Sequence, residues 1–187
     1  MNVTQFASPP KRPLLGLRRT VATRTKTSML IVNTKKIEPI KWASPKGTMA
    51  GEGIEVSEAL GRKPRSTDLR ERHPFDVEIL RIPAGKAPYP YHSHSAQWEF
   101  YHVISGSGTV RYEGGTTPIV EGDACIFEPG QAHQFFNDGT EDLVLYVVAD
   151  NPIGECWHYP DSGKWGVPIP ERRNLRSEPL DYFDGEE

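Results

Sequence analysis

Gly85-Lys-Ala-Pro-Tyr-Pro-Tyr-His92-Ser-His94-Ser-Ala-Gln-Trp-Glu99-Phe-Tyr-His-Val-Ile-Ser-Gly106 is the stretch from which the fold can be read. Side chains alternate with period two along an extended segment, so His92 and His94 point to one side and their imidazoles converge. Glu99 opens a strand on which Tyr101 and Val103 share its parity. An inward Glu99 therefore places a carboxylate in an apolar interior, which is costly unless a cation compensates it. His102 has the opposite parity and is expected to point away.

A second segment supplies the counterpart: Gly122-Asp-Ala-Cys-Ile-Phe-Glu-Pro-Gly130-Gln-Ala-His133-Gln-Phe-Phe-Asn137. Gly122-Asp123 reads as a tight turn opening a strand, Pro129-Gly130 closes it, and His133 begins the returning strand. A third imidazole thus comes from a strand distant in sequence. His92, His94, Glu99 and His133 suit one divalent transition metal (Fe, Mn, Zn or Ni), with positions left open for water, substrate or dioxygen. Glu99 and Tyr101 are the candidate catalytic groups. Tyr91, Gln97, Tyr101, Val103 and Phe135 are expected to line a pocket for a small oxygenated organic molecule. His73 reads as a loop residue and His158 as a residue that stays out of the pocket.

Outward from these segments the text from Phe75 is regular. FDVEILRIP, QWEFYHVIS, GTVRYE, TPIV, ACIFEP, HQFFN and DLVLYVVAD are short apolar runs bounded by Gly, Pro, Asn or Asp, with no helical period between them. Such spacing predicts an all-β antiparallel sandwich or barrel. No internal repeat is visible, so one barrel is expected, at residues 75–150. Residues 29–74 read as edge strands and loops packing on it, with apolar pieces at 30–32 and 54–56 and one helical turn near residues 57–60. Residues 151–187 form a Pro-, Gly- and Trp-rich extension whose aromatic part is expected to pack on the barrel and whose last residues are expected to be disordered.

The two segments together resemble the cupin superfamily. Its first motif is Gly, then His-x-His, three or four residues, Glu, six residues and Gly. His92, His94, Glu99 and Gly106 fit it, with one additional residue between Gly85 and His92. Its second motif is Gly followed by Pro-x-Gly-x-x-His-x-x-x-Asn. Gly122, Gly130, His133 and Asn137 fit that, while Glu128 stands where the family usually has Pro, with Pro129 next. The resemblance implies a small single-domain protein with an antiparallel double-stranded β-helix, a jelly-roll-like barrel, carrying irregular N- and C-terminal extensions. It also implies a non-haem divalent-metal enzyme, dioxygenase or isomerase-like, acting on a small polar organic substrate. The alternative is a cupin that binds or senses a small ligand without turnover. Small cupins similar to this one pair, so a homodimer is expected, with outward Phe100 and Ile104 covered by a second sheet or a partner.

Composition limits the other classes. A formal net charge of -3 over 187 residues offers no general attraction to phosphate backbones, so nucleic acid is not an expected partner. No apolar run approaches the roughly 20 residues that span a bilayer, so no membrane partner is expected either. Two cysteines, Cys125 and Cys156, make no disulfide framework and fit a reducing compartment, hence the cytoplasm. Cys125 sits in an apolar run and reads as a small buried hydrophobe. Residues 1–28 depart from the rest: six Lys and Arg, no acid. They read as a basic, disordered leader, an organelle transit peptide, or an upstream start preceding a true first residue at Met29, the last being favoured.

Overall fold

A computed structural model of the chain describes residues 29–64, 66–168 and 172–186. The leader reading of residues 1–28 therefore lies outside the described residues. Among the described residues thirteen strands follow one another: β1 (Ile40–Ala43), β2 (Ala50–Glu55), β3 (Phe75–Ile82), β4 (Ser93–His94), β5 (Glu99–Ser105), β6 (Ser107–Tyr112), β7 (Gly115–Val120), β8 (Ala124–Phe127), β9 (His133–Phe136), β10 (Leu143–Asp150), β11 (Trp157–Tyr159), β12 (Lys164–Val167) and β13 (Arg173–Arg176). Two single helical turns, α1 (Val56–Ala59) and α2 (Leu69–Arg72), lie between β2 and β3.

The strands form an antiparallel six-stranded sheet in the order β1-β2-β3-β10-β5-β8 and a three-stranded sheet β7-β6-β9. The strands enclose one core. Leu80 and Ile82 of β3, Tyr101 and Val103 of β5, and Leu143, Leu145 and Val147 of β10 meet Val110, Ile119 and Phe135 of the smaller sheet, with Phe127 from β8. Leu145, Leu143 and Ile82 have no exposed surface, so deleting one of these side chains opens a cavity and is expected to cost about 2–5 kcal/mol. β5 alternates buried and exposed from Glu99 to Ile104, which sets His102 outside as its parity requires. The corner between β5 and β6 falls at Gly106, whose φ is 84° and where a Cβ would lie 2.5 Å from the Asp142 carbonyl oxygen. A side chain there meets both a disfavoured backbone conformation and a clash.

Asn137 completes the barrel. It is fully buried, its amide donates to the Ile82 and Glu141 carbonyls at 2.6 and 2.7 Å, and its side-chain oxygen accepts from Gly139 N–H at 3.0 Å. Its backbone pairs with the 85–86 loop, accepting from Gly85 N–H and donating to the Lys86 carbonyl. The Glu128 departure leaves the turn intact: Gln131 N–H donates to Glu128 O, and Gly130 N–H donates to the His94 carbonyl at 2.8 Å.

The flanks differ from the barrel in local regularity. Residues 30–32 lie outside any strand despite their apolar text, and Ile31 is 77% exposed. A 3-10 turn at Thr34–Lys36 follows, capped by the Asn33 side chain. Within the C-terminal extension, β11, β12 and β13 form a third antiparallel sheet whose edge is β4, in the order β13-β12-β11-β4. Pairing sets Trp157 opposite His94 and His158 opposite Ser93. Among the described residues no helix is long and apolar enough to cross a membrane.

Candidate metal centre

Two backbone hydrogen bonds join the motifs. His92 N–H donates to His133 O at 3.1 Å, and His133 N–H donates to His92 O at 2.8 Å. β4 then carries His94, and β5 places Glu99 and Tyr101 on the inner face. His92, Glu99 and His133 each offer one ligand atom, all within 4.8 Å of one another. The fourth side chain of the motif joins them through Glu99: His94 Nε2 is 3.3 Å and His133 Nε2 3.0 Å from the same Oε2. Tyr101 donates its hydroxyl hydrogen to that oxygen at 3.0 Å and lies 3.4 Å from His133 Nε2. Phe127 stacks on the His133 ring at 4.0 Å and holds it flat.

Each imidazole has a protein acceptor near Nδ1, which leaves Nε2 toward the centre. His92 faces the Pro90 carbonyl at 2.9 Å, His133 the Gln131 carbonyl at 3.3 Å, and His94 the Glu155 carboxylate at 3.3 Å. His94 is the special case. Both of its nitrogens are buried and close to a carboxylate, yet neither makes an aligned hydrogen bond among the described residues. A cation between His94 Nε2 and Glu99 satisfies both, and three imidazoles with one carboxylate are a donor set suited to a divalent transition metal. The residues fit such an ion.

Burial and charge act in opposite senses here. Burial, then the neighbouring His133, lowers the His92 pKa to about 4, so its ring is neutral and able to ligate. Burial also opposes charge on His94, but Glu155 and Glu99 outweigh it and raise its pKa to about 9. For Glu99 burial favours the acid, whereas contacts with His133 and His94 hold the carboxyl well below its usual range. Tyr101 is raised well above the ordinary phenol, first by burial and then by Glu99, and keeps its proton.

A cavity of about 80 Å³ adjoins Glu99, lined by Asp76, Glu78, Gln97, Glu99, Val147 and Ala149. Gln97 is held there by donating to the Asp150 carbonyl. Tyr101 reaches the ligand cluster with its hydroxyl, while its ring packs on Phe135 at 4.5 Å; Val103 and Phe135 lie in the core. Tyr91 sits elsewhere, under the Arg111 guanidinium at 3.9 Å, and Arg111 is itself paired with Asp161. His158 stacks on Trp165, and His73 ends α2 with φ 60°. Cys125 is half-buried, and burial raises its thiol pKa to about 11.

Three groups were not singled out in the sequence. Asp76 and Glu78 share the parity of Leu80 and Ile82, the signal that could have placed them inward. Val77 and Ile79 on the other parity are apolar too, which hides it. Glu155 stands in a Gly- and Pro-rich stretch with no periodicity.

Comparison with known proteins accords with this architecture. A family model described as a cupin domain matches residues 67–149. The chain is 25% identical over 120 residues to an oxalate-binding protein of Thermotoga maritima, covering 64% of this chain and 92% of that protein. It resembles the solved structure of a sugar phosphate isomerase of the cupin superfamily from Silicibacter pomeroyi, with TM-score 0.68, 23% identity and coverage of 82% of this chain and 98% of that one. A candidate sugar phosphate isomerase from Acidithiobacillus ferrooxidans gives TM-score 0.67, 24% identity and coverage of 81% and 96%. These two likenesses are of fold. Residues 67–149 match the cupin-domain model, and the strands carry the double-stranded β-helix fold of these structures.

Proposed function

We propose that this chain is a metal-dependent cupin enzyme that moves a proton on a small, hydroxyl-bearing organic substrate, with His92, His94, Glu99 and His133 holding one divalent transition metal ion. The observation that carries the reading is the carboxylate-walled cavity beside Glu99. Asp76, Glu78 and Glu99 accept hydrogen bonds, and Gln97 adds an amide, a lining suited to hydroxyl groups. A dicarboxylate reaching past the ion into that volume would meet the Asp76 and Glu78 carboxylates, with the Arg62 guanidinium 2.8 Å from Asp76 as counter-charge. This disfavours an oxalate-like molecule in that volume, although oxalate is what the Thermotoga maritima relative is named for binding.

When bound, the metal would polarise a substrate oxygen and acidify the adjacent C–H. The chain's own groups do the rest. Asp76, Glu78 and Gln97 orient the hydroxyls. Tyr101 holds its proton at Oη and keeps Glu99 Oε2 charged through the 3.0 Å hydrogen bond. Glu99, at the cavity wall, would accept the proton only from a C–H that the metal has acidified, because its own carboxyl is held well below the usual range.

The test is a panel of small hydroxycarbonyl compounds, diols, catechols and dicarboxylates, with the metal-loaded protein in deuterated water. Deuterium exchange at the carbon next to the carbonyl, lost in Glu99→Gln, is the expected result. Oxygen uptake with diols or catechols would replace the proposal with a dioxygenase. Ligand-dependent metal spectra without turnover would replace it with a binding or sensor cupin.

A further inference from the structure

The C-terminal extension reaches the candidate metal centre at two side chains: the Tyr159 ring stacks on His92 at 6.2 Å, and the Glu155 carboxylate meets His94. Glu155 is 7% exposed, although it belongs to a loop outside the matched cupin domain. Its two oxygens accept from Ser95 N–H and Ala96 N–H, both at 2.8 Å, and Oε1 lies 3.3 Å from His94 Nδ1. The segment is tied down on both sides. Ser95 N–H donates to the Cys156 carbonyl at 2.9 Å, Cys156 N–H donates to the Ser95 hydroxyl at 2.9 Å, and β11 pairs with β4 from the next residue.

We propose that Glu155 is a positioning residue for the metal site, supplied by the extension, which holds the proton of His94 on Nδ1 and so presents Nε2 to the ion. The inference rests on metal binding by His92, His94, Glu99 and His133. Among the described residues, the other two imidazoles have a backbone carbonyl oxygen as the hydrogen-bond partner of Nδ1. A carboxylate in that place makes the ring a stronger donor and fixes its tautomer and rotation. The two backbone N–H groups hold the carboxylate in place, so it acts as an anchored partner rather than a mobile surface charge. The cupin domain thus supplies the ligands, and the extension sets the orientation of one of them.

Zn(II) affinity, measured by competition with a chromophoric chelator, tests this in the full chain. Glu155→Ala is expected to weaken Zn(II) binding by about 10–100-fold. Glu155→Gln, which keeps an acceptor oxygen, is expected to fall between Ala and the parent. Ser95→Ala removes a tie between the same two segments without touching Nδ1 and is expected to stay within about threefold of the parent, because the Ser95 and Ala96 N–H groups still hold the Glu155 carboxylate. A merely structural role would instead move Ser95→Ala and Glu155→Gln together. In the Zn(II)-loaded parent, nitrogen-15 NMR is expected to show a His94 Nδ1–H protected from exchange with water, and in Glu155→Gln a weaker protection. Parent-like affinity in both Glu155 variants, or a zinc-bound Nδ1, would overturn the role of Glu155. Failure of the parent to bind Zn(II) would overturn the metal site itself, and the two failures are distinguishable by the parent titration alone. Should Glu155→Ala not fold, Glu155→Gln carries the test.

Discussion

His92 and His133 exchange two backbone hydrogen bonds, so the two segments that carry the candidate ligands are joined before any ion is considered. Preorganisation at the backbone level means that metal binding should stabilise the fold rather than build it. A ligand that binds only the folded chain adds about 2.7 kcal/mol at a free concentration near 100 Kd, or a Tm rise of roughly 5–10 °C for a chain of this size. Scanning calorimetry of chelator-treated protein, before and after Mn(II) or Zn(II), is expected to show that rise on a protein already folded. A metal-free form without a cooperative transition would contradict it.

Asn137 makes three side-chain hydrogen bonds in a fully buried position. Truncation to Ala strands the Ile82 and Glu141 carbonyls and the Gly139 N–H. The expected loss is about 2–4 kcal/mol in urea unfolding, with little change in the ligand geometry. A loss below about 0.5 kcal/mol, the range of ordinary surface changes, would mean that water replaces the amide.

Glu58 shares the buried Arg62 guanidinium with Asp76, each at 2.8 Å. Burial first, then Glu55 and Asp76, raise its pKa from 4.5 to about 7 against the pull of Arg62. A carboxyl whose folded pKa is raised contributes most below its unfolded pKa, and that contribution is lost as pH climbs through the folded value. Glu58→Gln should therefore gain on the parent between pH 4.5 and 7, reaching an advantage on the order of 1–3 kcal/mol by pH 8. Paired chemical denaturation at pH 5 and 8 checks the sign; an advantage that shrinks with pH would refute the argument.

The outer face of the six-stranded sheet is apolar where β5 meets its neighbours. Phe100 lies opposite Ile126 and Val148, and Phe100, Ile126, Ile104 and Tyr146 are 37%, 58%, 41% and 37% exposed. Contiguous apolar surface of this kind favours self-association. Sedimentation at micromolar concentration is expected to give a dimer, and Phe100→Glu with Ile126→Glu a monomer. A monomeric parent would contradict the expectation.

Much of the barrel was legible because its signals are local. Turn residues bound each run from Phe75 onward, and alternation along β5 alone separates Glu99 and Tyr101 from Phe100 and His102. The spacing of His92, His94, Glu99 and His133 pointed to one cluster because two-residue periodicity and tight turns are properties of neighbouring residues. What stayed hidden depends on distant partners. Asp76 and Glu78 could not be assigned to a face while both faces of β3 are apolar, and the outer one is apolar for reasons beyond that strand. Tyr91 adjoins the candidate ligand His92 in sequence, but its ring is claimed by Arg111, a cation on β6. Glu155 meets Ser95, and β11 meets β4, only across some sixty residues of chain.

The docking of β11 on β4 also has an order in time. A nascent chain emerges N-terminus first, at roughly 5–20 residues per second. His92, His94, Glu99 and His133 therefore all precede Glu155 into the solvent. The barrel itself needs β10, which pairs with both β3 and β5 and ends at Asp150, so Glu155 follows the last barrel strand by five residues and about a second or less.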